Sequence, residues 1–76
     1  MAKNNYISGL SDSEKKFSSL SLTELKRKRS KYIAKFKYYE AYPEMLIGDV
    51  NNRLDYYCGV IDYLTNLINK QFKKGE

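Results

Sequence analysis

A row of lysines and tyrosines in the middle of the chain has the residue types and the spacing to bind an anionic partner. The segment Lys26–Tyr39, KRKRSKYIAKFKYY, contains seven Lys and Arg side chains and no acidic one. Ammonium groups contact phosphates or carboxylates, and tyrosine rings stack on a base or on a partner's side chain. Steps of three and four residues return to one helix face. Such steps define the α2 surface, which consists of Lys28, Lys31, Lys35, Tyr38 and Tyr42, with Arg27 beside them.

The charges in this segment have a second interpretation, because a basic helix face often serves only to keep a small protein in solution. The net charge of +5 and the pI of about 9.3 favour acidic partners in general. No helix-turn-helix spacing, zinc ligand set or RNP-like strand accompanies the lysines. We therefore expect an acidic protein as partner ahead of a nucleic acid. A small anionic, nucleotide-like ligand held at a protomer interface is a further alternative.

The residue types needed for catalysis are sparse. The chain contains no histidine and one cysteine, Cys58, which excludes an internal disulfide and a Cys/His zinc site. A lone thiol without histidine is usually a small buried apolar group. No pair of acids suggests acid–base chemistry, and no glycine-rich loop suggests phosphate binding. We predict that the protein is not an enzyme and uses no metal or cofactor.

Two long helices must position the α2 surface. Ser21-Leu22-Thr23-Glu24 has the S-x-x-E form of a capping box, which predicts a helix over 22–41. Tyr42-Pro43 bends the chain, and a second helix begins at Pro43 or at Asp49 and ends near Phe72. Apolar residues recur along it in coiled-coil heptads at alternating steps of three and four. They are Ile47, Val50, Leu54, Tyr57, Ile61, Leu64 and Ile68.

The N-terminal part carries weaker signals. Residues 1–10 are predicted to form a flexible arm, and residues 11–76 a single helical domain. Another S-x-x-E pattern at Ser11 predicts a short helix from about Asp12 to Ser18. Because the join between the long helices is short, they are expected to pack as an antiparallel hairpin. The predicted fold is therefore all-α.

A second apolar stripe on the later helix indicates a further packing partner. Its members, Tyr56, Val60, Tyr63 and Leu67, lie beside the hairpin seam. A chain of 76 residues is marginally stable alone. We therefore predict that two hairpins pair through this stripe into a four-helix-bundle homodimer or a higher oligomer. The alternatives are a monomer that docks on another protein and one that folds its N-terminal segment over the stripe.

Two single residues have open interpretations. Gly59 is predicted on the polar side of its helix, where it permits close approach of a partner or is simply a tolerated cost of about 1 kcal/mol. Arg29 interrupts the hairpin seam, and we expect it to extend toward solvent or to pair with Asp62.

These observations favour a small interaction protein. The first ten residues lack the apolar core of a signal peptide, and no run reaches the length of a membrane span, so a cytoplasmic location is expected. We predict a non-enzymatic module that self-associates and binds or blocks an acidic surface, as an inhibitor, adaptor or assembly factor. Its small size suggests a virus- or mobile-element-encoded accessory protein acting in the host cytoplasm. The alternative is a basic nucleic-acid-binding module.

Overall fold

The fold is a set of three helices. The computed structural model describes residues 2–45 and 50–74, and no strand occurs within those ranges, which confirms the all-α class. The elements are α1 (Ala2–Phe17), α2 (Leu22–Ala41), a short 3-10 helix (Pro43–Met45) and α3 (Val50–Lys74). Among the described residues, no helix combines the length and the apolar composition needed to cross a membrane.

The predicted bounds of α2 are confirmed by its caps. The Ser21 hydroxyl accepts a hydrogen bond from the Glu24 backbone N–H at 3.3 Å, as an S-x-x-E start requires. At the other end the Tyr42 N–H donates to the Tyr38 carbonyl at 2.9 Å. Pro43 then opens the 3-10 helix, because proline cannot continue the hydrogen-bonding pattern of α2.

α2 runs antiparallel to α3. The Gln71 amide lies 3.5 Å from the carbonyl oxygen of Leu20, before α2 begins, while the ring of Tyr39 near its end stacks on Tyr57. The predicted helix start at Asp49 and the seam residue Ile47 lie outside the described residues. α3 is described from Val50 and continues to Lys74, slightly beyond the predicted end near Phe72.

α1 differs most from the prediction. It begins at Ala2 rather than near Asp12, so the described residues that were assigned to an arm are helical. Ser11 does not cap a helix, because it lies inside one. The Ser13 hydroxyl is buried and donates to the Gly9 carbonyl at 2.6 Å, a bond within the same helix. A polar helix with an internal glycine depends on tertiary packing rather than on propensity.

That packing is a close approach of α1 and α3 at two glycines. A Cβ atom placed on Gly9 would collide with the Tyr56 carbonyl oxygen and lie 3.2 Å from the Gly59 Cα. A Cβ on Gly59 would collide in the same way with the Tyr6 carbonyl oxygen and lie 3.1 Å from the Leu10 nitrogen. Gly59 is therefore buried against α1, and its predicted place on the polar side of the helix is wrong.

The core lies where the three helices meet. α1 contributes Phe17, α2 contributes Leu25, and α3 contributes Val60 and Leu64. Leu25 and Leu64 are fully buried seam residues, as the heptad pattern indicates. Partly buried side chains surround these four; they are Leu20, Tyr32, Tyr56, Tyr63, Leu67 and Ile68.

Gly59→Ala tests the close approach. We expect a loss of about 1–3 kcal/mol in the free energy of unfolding, because the added methyl group forces two backbones apart. Helix propensity alone would instead favour alanine by about 1 kcal/mol. Urea unfolding followed by circular dichroism measures the difference. The exposed Asn66, also on α3, provides the control: Asn66→Ala should leave stability unchanged or slightly higher. A Gly59→Ala protein more stable than wild type would contradict the packing described.

Candidate functional site

The α2 surface lies on one side of its helix. At about 100° per residue, Lys28, Lys31, Lys35, Tyr38 and Tyr42 fall within an arc of roughly 80°. All but Lys28, which is partly buried, are exposed, and so is the neighbouring Arg27. The helix therefore presents the predicted residues together.

The two exposed tyrosines of the α2 surface hold each other in place. The rings of Tyr38 and Tyr42 lie 5.3 Å apart between centroids, and Tyr38 also meets Tyr39 edge-on at 5.3 Å. Tyr38 is 45% exposed and Tyr42 is 54% exposed. Met45, 57% exposed, follows within one turn, where its N–H donates to the Tyr42 carbonyl at 3.0 Å. These side chains form an apolar tip at the end of α2.

A ladder of rings connects the apolar tip to the core. Tyr39 stacks on Tyr57 at 6.3 Å, Tyr57 meets Tyr32 at 5.9 Å, and Tyr32 meets the core residue Phe17 at 6.2 Å. The Lys35 ammonium lies 5.4 Å from the centroid of the Tyr32 ring, within cation–π range. Ring packing thus restrains both the tyrosines and one lysine before any partner arrives.

The second apolar stripe is covered by α1. Val60 is only 2% exposed, while Tyr56, Tyr63 and Leu67 are partly buried around the core. Of the alternatives that the sequence leaves open, this arrangement matches the one in which the N-terminal segment folds over the stripe. The predicted role of the four residues as an oligomer interface stays a prediction.

Reciprocal hydrogen bonds flank the two glycines. The Tyr6 hydroxyl of α1 donates to Asp62 of α3 at 2.5 Å, and the Tyr56 hydroxyl of α3 donates to Asp12 of α1 at 2.7 Å. Each helix thus supplies one donor and one acceptor. We use the term glycine crossing for this whole set, namely Tyr6, Gly9, Asp12, Tyr56, Gly59 and Asp62.

The glycine crossing shifts the tyrosine pKa values. Burial, together with the Asp12 carboxylate, raises the pKa of Tyr56 to about 12. The hydrogen bond to Asp62 raises the pKa of Tyr6, and burial raises the pKa of Tyr63. Burial also raises the pKa of the Cys58 thiol, which keeps it protonated and weakly nucleophilic at neutral pH.

Arg29 has a different partner from the predicted one. Its Nε donates to the Thr65 hydroxyl at 2.7 Å, while Asp62 accepts from Tyr6 instead. The Arg29–Thr65 bond borders a groove of about 450 Å³ between α2 and α3. The lining residues are Lys26, Arg29, Ser30, Thr65, Ile68 and Asn69, a set whose charge suits a small anion.

The sequence carries a signal for the glycine crossing that heptad analysis does not detect. Y-x-x-G-x-x-D occurs twice, at 6–12 and at 56–62. Only the pairing of the two copies in space gives the repeat a meaning.

No family model matches the chain, and the searches found no similar curated protein or solved structure.

The raised Tyr56 pKa predicts a loss of stability at high pH. A group whose folded pKa of about 12 exceeds its ordinary 10.0 stabilises the fold fully below pH 10 and stops doing so as pH rises through 12. Between about pH 8 and about pH 11, wild type should lose roughly 1 kcal/mol more than Tyr56→Phe. Urea unfolding of both proteins at the two pH values measures this, and equal losses would contradict the Tyr56–Asp12 bond.

Proposed function

We propose that this protein is a small non-enzymatic interaction module that acts in the cytoplasm by docking its α2 surface onto an acidic surface of a protein partner. The main support is the pair of half-exposed, mutually packed rings of Tyr38 and Tyr42 beside Lys31 and Lys35. Aromatic side chains dominate the binding energy of many protein interfaces because they offer large contact area with a polar tip.

The restrained apolar tip favours affinity for a protein. Rings that already rest on one another lose little conformational freedom on binding, so less of the contact energy offsets entropy. Tyr38, Tyr42 and Met45 would enter an apolar depression, while Lys31 and Lys35 pair with carboxylates around it and speed encounter. The module would inhibit or adapt its partner by occupying that surface.

Nucleic-acid binding is the alternative, through the same lysines and Arg27. The geometry of the tip favours it less, because the rings of Tyr38 and Tyr42 meet at 5.3 Å and leave no room for a base between them. A base would have to stack on the outer ring faces alone. Salt dependence distinguishes the two, since phosphate contacts weaken steeply as counterions are added.

Self-association belongs to the proposal in a restricted form. In a single chain Val60 is buried below α1, so a bundle of two hairpins through Tyr56, Val60, Tyr63 and Leu67 requires α1 to leave its place. The docking role of the α2 surface does not depend on a second copy.

Charge and ring substitutions test the docking role. The probe is a labelled helical peptide with one row of Glu and one row of Leu, compared with its Gln-for-Glu version and with labelled single-stranded and duplex DNA. We expect wild type to bind the Glu–Leu peptide. Lys31→Gln/Lys35→Gln and Tyr42→Ala should each weaken binding about tenfold, the sum of a few modest contacts.

The control removes two charges elsewhere. Lys15 and Lys16 are exposed on α1, and Lys15→Gln/Lys16→Gln should change peptide affinity less than about twofold if the α2 surface is the site. Strong DNA binding without peptide binding would favour the alternative. Equal losses in both charge variants, or no peptide binding, would reject docking through α2.

A further inference from the structure

The glycine crossing joins two copies of one short pattern. Tyr6-Ile7-Ser8-Gly9-Leu10-Ser11-Asp12 and Tyr56-Tyr57-Cys58-Gly59-Val60-Ile61-Asp62 share Y-x-x-G-x-x-D, with an apolar residue after each glycine. The tyrosine of each copy donates to the aspartate of the other, and the glycine of each meets a backbone carbonyl of the other. The two segments are thus related by an approximate two-fold symmetry.

α1 is recognised by α3 and only loosely by the rest of the chain. Its packing is almost entirely on α3, and Phe17 is the residue whose ring reaches Tyr32 of α2. The connection from α1 to α2 is the short segment Ser18–Ser21. Because the contact is defined by the pattern and not by the connection, an α1 from another molecule meets the same donors, acceptors and glycine.

We propose that α1 exchanges between two copies of this chain, so that the Tyr6–Asp12 segment of each lies on the Tyr56–Asp62 segment of the other. The product is a closed dimer with two glycine crossings, each formed in trans. Exchange of an identical element between protomers preserves every contact of the monomer, so its cost is low. The outcome is then set by the connection and by protein concentration.

The cover that α1 provides is small enough to permit exchange. Within α1 the buried residues are Gly9, Ser13 and Phe17, and the large apolar Ile7 is 57% exposed. A helix with so little buried apolar surface separates from α3 at modest cost.

A second α3 cannot take the place of α1. The position equivalent to Ser13 in the α3 copy is Tyr63, and Ser13 is 1% exposed. A tyrosine ring does not fit where a serine is enclosed on all sides. The matching occupant is therefore the α1 of a second copy, which differs from the bundle of two hairpins that the sequence predicts but uses the same stripe. The inference is independent of the proposed docking role.

The length of the connection provides the test. Deleting Ser18 and Ser19 from the full chain shortens the path from α1 to its own α3, which should convert the protein to a folded dimer with twice the chain mass. Light scattering coupled to size exclusion measures the mass, and circular dichroism the helix content. The matched control inserts Gly-Ser-Gly-Ser at the same place and should be a monomer. A deletion protein that is monomeric, whether folded or unfolded, would overturn the proposal.

A mixing experiment keeps the proposal testable without changing the connection. Gly9→Leu disables the α1 copy and Gly59→Leu the α3 copy, so neither protein can form the glycine crossing with itself. An equimolar mixture should contain a one-to-one complex in which the intact α1 lies on the intact α3. The chain that carries both substitutions should form no complex with either. Absence of a complex at about 100 µM of each single variant would also overturn the proposal.

Discussion

The contact on which the rest of the structure depends is the close approach of α1 to α3 at Gly9 and Gly59. Each glycine faces a carbonyl oxygen of the other helix at a distance that excludes a side chain. Helix backbones this close gain dispersion contacts and weak Cα–H···O interactions along the crossing. Such packing holds α1, whose polar composition would not keep it helical on its own. With α1 in place, Phe17 reaches the core, and Tyr6 and Asp12 reach their partners on α3.

The crossing gives α3 two packed faces. One face meets α2 through Leu64 and the tyrosine ladder, and the other meets α1 through Gly59 and Val60. α2 is then anchored on one side only, by Leu25 and the ring of Tyr32, which leaves its lysines and the apolar tip exposed. The surface proposed for docking is therefore a consequence of where α1 lies: if α1 packed on α2 instead, fewer of these residues would face outward.

Local signals predicted α2 fully and α1 poorly, for physical reasons. The Ser21 cap and the Pro43 break act within a few residues, so the bounds of α2 can be derived from the chain itself. Gly9 and Ser11, by contrast, indicate a break and a cap when only neighbours in sequence are considered. Their actual role depends on Gly59, a residue 50 positions away. The α2 surface follows from helical spacing alone, whereas its apolar tip depends on ring packing that a periodicity cannot reveal. For the same reason Arg29 could be placed at the seam, but its partner Thr65 could not be chosen over Asp62.

The reciprocal pairing at the crossing is tested most directly by double-mutant cycles. One cycle combines Tyr56→Phe with Asp12→Asn, the bonded pair, and the matched cycle combines Tyr56→Phe with Asp62→Asn, residues of one helix with different partners. The free energy of unfolding of each variant gives the coupling energy. A coupling of about 1 kcal/mol in the first cycle and close to zero in the second is the predicted result. Equal couplings, or none in the first cycle, would contradict the pairing of α1 with α3.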